Sequence, residues 1–227
     1  MGSTETVFVT GGSGGLGSAV ASAFGADGCH VVLAARDREA LESTAADVER
    51  AGGTAAVAPL DVRDEDAVFE AFAEHGPVDV LVPCAGVIDG TPGEMALTDA
   101  TYEEFDEIVE TNVRGLFATL REGLQFVAED GCVLVPSGKV AREPHERMGV
   151  YAVSKAADEG LVRGFAADAT QTVGLVEPGL VATNLTGGKG RNPEDVAEMF
   201  VWAATDCPAE DLDGQVVGLR EWKAATR

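Results

Sequence analysis

The chain has 227 residues, 45% of them hydrophobic, and its 39 acidic side chains outweigh 16 basic ones to give a formal net charge of −23. That length and apolar content fit one α/β domain with a full core and exclude a disordered chain. Nucleic acid is excluded as a partner by the acidic field, and a membrane span by the lack of any apolar run near the roughly 20 residues required.

In chain order, short β-rich runs alternate with helical stretches. A strand at Thr6–Thr10 leads into a helix at Gly15–Gly25, and a strand at His30–Ala35 into a helix at Arg38–Ala51. The third pair is Thr54–Leu60 and Asp64–Glu74, and the fourth is Val78–Pro83 with a long helix at Asp99–Ala128. Gly131–Pro136 precedes a helix at Gly149–Ala169, Thr172–Glu177 precedes one at Pro193–Ala204, and Gln215–Leu219 is the last strand. The strand runs are continuously apolar, as strands covered on both faces require. Gly52-Gly53 marks a helix end and Pro193 after Asn192 a helix start. The alternation predicts a doubly wound parallel sheet of seven strands, helices on both faces, in one domain over 1–227.

The cysteines, Cys29, Cys84, Cys132 and Cys207, form no C-x-x-C, and three fall in or beside apolar strand runs. They read as buried free thiols of a reducing compartment. His30, His75 and His145 are far apart and lack metal-ligand spacing, so no metal site is expected. Met1–Thr6 formally fits a myristoylation pattern, but the first strand is expected to begin at Thr6. Asn184-Leu185-Thr186 fits a glycosylation sequon, but no basic n-region with an apolar stretch stands at the N-terminus, so a cytoplasmic location is expected. The acids are spread along the chain, a balance that suits a salt-adapted protein.

The first expected strand runs into Thr10-Gly11-Gly12-Ser13-Gly14-Gly15-Leu16-Gly17, which satisfies both G-x-G-x-x-G and T-G-x-x-x-G-x-G. Glycines allow a tight turn and a close backbone approach to a pyrophosphate, which then meets the amide-rich end of the next helix. With a strand before it and a helix after it, this is a dinucleotide-binding turn of Rossmann type. The second strand ends at Ala35 and is followed by Arg36 and Asp37. Arg36 suits a ribose 2′-phosphate, which favours NADP(H) over NAD(H); Asp37 is the competing ribose ligand.

Tyr151-Ala152-Val153-Ser154-Lys155 reads Y-x-x-x-K. Four residues apart on a helix, the two functional side chains share a face. An ammonium beside a phenol favours the phenolate, so such a Tyr can exchange a proton with substrate near neutral pH.

Together these motifs resemble the short-chain dehydrogenase/reductase family from Thr6 to about Thr183. The resemblance makes Gly11, Ser13, Gly14, Gly15, Leu16 and Gly17 the cofactor loop, with Asp61 and Val62 at the adenine and Ala85-Gly86 as the end of the family's N-N-A-G. It makes Asn112 a structural and proton-relay residue, Ser137 the catalytic hydroxyl, and Tyr151 with Lys155 the active-site pair that also holds the nicotinamide ribose. Pro178, Gly179, Val181 and Thr183 look like the loop that holds the carboxamide. The implied activity is hydride transfer between NADP(H) and a carbonyl or secondary alcohol, with a 3-oxoacyl thioester reductase and a general ketone or aldehyde reductase as candidates. A non-catalytic NADP-binding sensor or scaffold is the alternative. A homodimer or homotetramer is implied, through the long Asp99–Ala128 and Gly149–Ala169 helices and the final strand with Arg220–Arg227. The chain departs from the family pattern in several places. Pro83-Cys84 replaces the two asparagines of N-N-A-G. Ser137 lies fourteen residues before Tyr151, with Gly138 at the family's thirteen, which reads as one inserted residue in Gly138–Val150. Only Asn184–Arg191 separates Thr183 from the next helix, a short mobile loop and an open pocket by expectation.

Overall fold

The computed structural model describes residues 5–226; most of the Met1–Thr6 pattern and Arg227 lie outside them. Seven parallel strands form one sheet in the order β3-β2-β1-β4-β5-β6-β7. They are β1 (Thr6–Thr10), β2 (His30–Ala35), β3 (Thr54–Pro59), β4 (Val78–Pro83), β5 (Val127–Pro136), β6 (Thr172–Glu177) and β7 (Val216–Gly218). Residue alternation sorts the core into two layers. Val7, Val9, Val31 and Leu33 point to one face, where they pack with α1 (Gly15–Ala26), α2 (Arg38–Ala51) and α7 (Glu194–Thr205). Phe8 and Val32 point to the other, against α3 (Glu65–His75), α5 (Gly115–Gly123) and α6 (Gly149–Asp168). There Phe8 stacks on Phe72 with centroids 4.1 Å apart, both rings fully buried; truncating either to Ala should cost about 3–5 kcal/mol.

Local chemistry sets the helix starts. Asp37 and Asp64 cap α2 and α3 by accepting the backbone N–H of Ala40 and Ala67 at 3.1 Å. Gly52 ends α2 at φ 121°, a conformation that favours glycine.

The long helix expected at Asp99–Ala128 is instead interrupted. Thr101 and Glu104 form a capping box that starts α4 (Tyr102–Ile108) late. A π-helical turn over Val109–Arg114 then leads into α5, and the helical run ends at Phe126. Beyond it Val127 pairs with Val78, so β5 begins earlier than the apolar run Gly131–Pro136 indicated, with an irregularity in its register. At the other end, β7 is only three residues long, and the chain continues through α9 (Leu219–Ala225) rather than as extended strand. The one-turn α8 (Ala209–Leu212) precedes β7.

The strand order reverses between β1 and β4, so their carboxyl ends open a crevice.

Candidate active site

That crevice is a cavity of about 1000 Å³. The glycine turn forms one wall. A Cβ on Gly17 would lie 2.3 Å from the Gly11 carbonyl oxygen, and Gly11 itself sits at φ 68°. Only glycine allows this approach of α1 to the turn. Gly14 is extended, at φ 168°, and the place its Cβ would take is open to 4 Å. No side chain caps α1 and its first turn holds no acid. Its unpaired N–H groups and the positive end of its dipole therefore meet the cavity uncontested, which fits a pyrophosphate.

Arg36 and Asp37 border the cavity at the end of β2. The Asp37 carboxylate is already engaged as the cap of α2, while Arg36 is exposed. Asp61 is turned onto Arg63, accepting its backbone N–H at 3.0 Å and its guanidinium at 2.6–3.0 Å. The Arg63 hydrogen bond holds the Asp61 carboxyl below the usual carboxylate range, against a smaller upward push from burial.

Where the family's asparagines would stand, Thr10 supplies polar support. Cys84 N–H donates to the Thr10 carbonyl at 3.0 Å and Ala85 N–H to the Thr10 hydroxyl at 3.3 Å. Burial pushes the Cys84 thiol up to about 12, with Lys155 pulling weakly the other way, so it stays an inert thiol.

Asn112 lies behind the cavity wall in the π-turn, 2% exposed. It accepts the Val87 N–H at 2.8 Å and donates to the Val87 carbonyl at 2.9 Å and the Ser154 hydroxyl at 3.0 Å. It thus clips the segment after β4 to α6, and both of its side-chain hydrogens on nitrogen are used.

Tyr151 and Lys155 project from α6 into the cavity, with Lys155 Nζ 6.0 Å from the Tyr151 ring centroid. Nζ donates to the Pro136 carbonyl at 3.3 Å and to Asp158 Oδ2 at 3.0 Å. Burial disfavours the ammonium, but the Asp158 carboxylate and Tyr151 outweigh it, so Lys155 is pushed above its ordinary range and stays charged.

Ser137 directly follows β5 and borders the same cavity, but its hydroxyl donates to Glu159 Oε1 at 2.7 Å. Glu159 is 1% exposed and is also met by Arg142 Nε at 3.2 Å and Arg163 Nη1 at 3.6 Å. Arg142 pairs onward with Glu177.

Of the residues expected at the site, Asn112 alone does not border the cavity; the glycine turn, Arg36, Asp61, Val62, Ala85, Gly86, Ser137, Tyr151, Lys155, Pro178, Gly179, Val181 and Thr183 all do. The segment after Thr183 is bridged by hydrogen bonds: Ala182 N–H donates to the Arg191 carbonyl at 2.7 Å, and the Thr186 hydroxyl to the Val181 carbonyl at 2.7 Å. Sequence reasoning missed Asp158 and Glu159. The available signal was spacing, since Asp158 falls three residues after Lys155 and seven after Tyr151, on their face of α6. It also missed Leu219, Arg220 and Glu221, which close the cavity from the C-terminal side. Among the described residues, no three His, Cys, Asp or Glu side chains are grouped to hold a metal ion, and no helix is long and apolar enough to cross a membrane.

A family model described as short chain dehydrogenase matches residues 5–194. Glycine betaine reductase ATRR of Emericella nidulans is 31% identical over 88% of this chain, which spans only 18% of that protein's length. The 3beta-hydroxysteroid dehydrogenase 1 of Eggerthella lenta is 31% identical, over 89% of this chain and 87% of its own. The crystal structure of a short chain dehydrogenase from Burkholderia cenocepacia, in complex with NADP, superposes with a TM-score of 0.82 at 26% identity, covering 94% of this chain and 95% of that one. With the family model spanning most of its length and the sheet order, glycine turn and cavity in place, the chain belongs to the short-chain dehydrogenases, oxidoreductases that use a nicotinamide cofactor.

Proposed function

We propose that this protein transfers a hydride between NADP(H), in preference to NAD(H), and a carbonyl or secondary alcohol, with Tyr151 as general acid and base. The observation that carries the reading is Tyr151 and Lys155 on one face of α6, opening on the cavity that the glycine turn walls on its far side. When bound, the nicotinamide supplies or accepts the hydride. In reduction, Tyr151 gives its phenolic proton to the substrate oxygen, and in oxidation it takes that proton back. Lys155 favours the phenolate and keeps one N–H beyond its two protein partners for the ribose. Gly11, Ser13, Gly14, Gly15, Leu16 and Gly17 hold the pyrophosphate. Val62, Ala85 and Gly86 border the adenine side, with Asp61 there held by Arg63, and Pro178, Gly179, Val181 and Thr183 border the carboxamide side. Asn112 fixes the segment that carries Val87, and a relay water would rest on its remaining acceptor capacity. The Ser137 proton is directed at Glu159, so its share of alkoxide stabilisation is small.

The NADP(H) preference rests on Arg36 at the cavity with the competing Asp37 carboxylate spent as a helix cap. The substrate side is apolar, with Val87, Ile88, Pro92, Met148 and Leu180 on its wall. A ketone with a bulky apolar body suits that wall, as does the class of alcohol for which the Eggerthella lenta relative is named. We place the protein in the cytoplasm, as a salt-adapted homodimer or homotetramer. Phe117 of α5 and Val153 of α6 are 43% and 39% exposed and offer apolar contact for a second copy.

The test is oxidation of NADPH and of NADH with a bulky cyclic ketone, a simple aldehyde and a 3-oxoacyl thioester, for the wild type and Tyr151→Phe. Turnover is expected with NADPH and the bulky ketone, and Tyr151→Phe should lose at least about a hundredfold in kcat while still binding NADPH. Unchanged turnover in that variant would refute the assignment. Cofactor binding with no turnover across the panel would leave a non-catalytic binder.

A further inference from the structure

Two turns of α6 place Tyr151, Lys155 and Asp158 on one line. Asp158 is 2% exposed, and a carboxylate is expensive to bury without a partner. Its Oδ2 accepts the Lys155 ammonium at 3.0 Å, while its Oδ1 is buried with no hydrogen-bond partner among the described residues. Its one side-chain partner is the Lys155 ammonium, so the charge of this buried carboxylate acts first on Lys155. The ammonium has three protons: one goes to Asp158, one to the Pro136 carbonyl, and one is left for the cavity.

We propose that Asp158 is a positioning residue for Lys155: it holds the ammonium against the end of β5 and takes up part of its charge, so that Lys155 draws Tyr151 toward phenolate less strongly than an unpaired ammonium would. This rests on the roles given above to Tyr151 and Lys155. The groups around the line are few. Glu159 neighbours Asp158 on α6 and is occupied by Ser137, Arg142 and Arg163. Cys84 faces Lys155 from the end of β4 as a neutral thiol. Tyr151 also borders a second cavity of about 380 Å³ with Asp89, Glu94, Asp99 and Glu104, and Lys139 and His145 stand on the main one. Burial pushes the Asp158 carboxyl above its ordinary range, the ammonium drawing it back down.

The chain has two tyrosines, and Tyr102 is 88% exposed. In a Tyr102→Phe background, phenolate absorbance against pH therefore reads Tyr151 alone, without needing a substrate. Asp158→Asn keeps the shape and removes the charge. Two turns put that charge about 10 Å along the axis from Tyr151, so the absorbance midpoint should move to lower pH on the order of one unit. Asp158→Glu should keep the parent midpoint. If Asp158→Asn does not fold by circular dichroism, Asp158→Ser gives the same reading with a smaller side chain. Coinciding midpoints for parent and neutral variant, in folded protein, overturn the proposal whatever the turnover assays give. A shifted midpoint in a protein without carbonyl reduction would uphold it while the catalytic reading fails.

Discussion

A serine hydroxyl has one proton, and where Ser137 spends it decides what the residue can do. Directed at Glu159 Oε1, 2.7 Å away and buried, it is a charge-assisted hydrogen bond that leaves only lone pairs for the cavity. Removing an oxyanion donor that acts on the substrate typically lowers kcat about 10²–10³-fold. Ser137→Ala is expected instead to lower kcat less than about tenfold and to lower stability by about 1.5–3 kcal/mol, because a buried carboxylate loses a bond. Steady-state kinetics and thermal melting on one preparation separate the two. A hundredfold loss of kcat with an unchanged melting temperature would place the hydroxyl on the substrate. Gly138, at the family's usual position for the hydroxyl, has no side chain to take over that role.

The glycine turn shows how neighbouring positions of one element divide stability from binding. A Cβ on Gly17 would meet backbone at 2.3 Å, so Gly17→Ala must push α1 away from the turn. It should cost about 1–3 kcal/mol in stability and weaken NADPH binding with it. At Gly14 a Cβ meets nothing in the protein and the backbone is extended. Gly14→Ala should therefore leave the melting temperature unchanged and still weaken NADPH, since the new methyl stands where the pyrophosphate must approach. Equal melting losses in both variants would contradict this division. The turn was legible in the sequence because backbone geometry admits one residue type, and the strands were legible because parallel strands buried on both faces are uninterrupted apolar runs. The Asp99–Ala128 region was not, because its breaks depend on the Thr101–Glu104 box and on long-range pairing of Val127 with Val78, which no local pattern carries. Asp158 and Glu159 were hidden for another reason. In a chain with 39 acidic residues, two of them on a helix look like solvated surface until the packing of α6 against the end of β5 buries them.

At the scale of the molecule, a net charge of −23 on 227 residues makes self-repulsion a standing cost of the folded state. Paired charges do little to relieve it. Several ion pairs of the described residues, Arg38–Glu42, Arg50–Asp47 and Arg114–Glu65 among them, are largely exposed, and exposed pairs contribute about 0–1 kcal/mol each. Mobile cations must therefore do the screening. The Debye length falls from about 30 Å at 0.01 M salt to about 10 Å at 0.1 M and 3 Å at 1 M, so pure screening is mostly complete by a few tenths molar. A salt-adapted protein should continue to gain stability beyond that point, through ions held by its carboxylate surface. Thermal melting in potassium chloride is expected to rise steeply up to about 0.3 M and to keep rising into the molar range, with turnover following. A plateau after the first rise would mean that the charge is only screened and that the protein works in ordinary salt. Potassium sulfate at matched ionic strength provides the control, because an excluded anion strengthens apolar burial in any protein. A continuing rise in sulfate alone would therefore assign the effect to the core and not to the acidic surface.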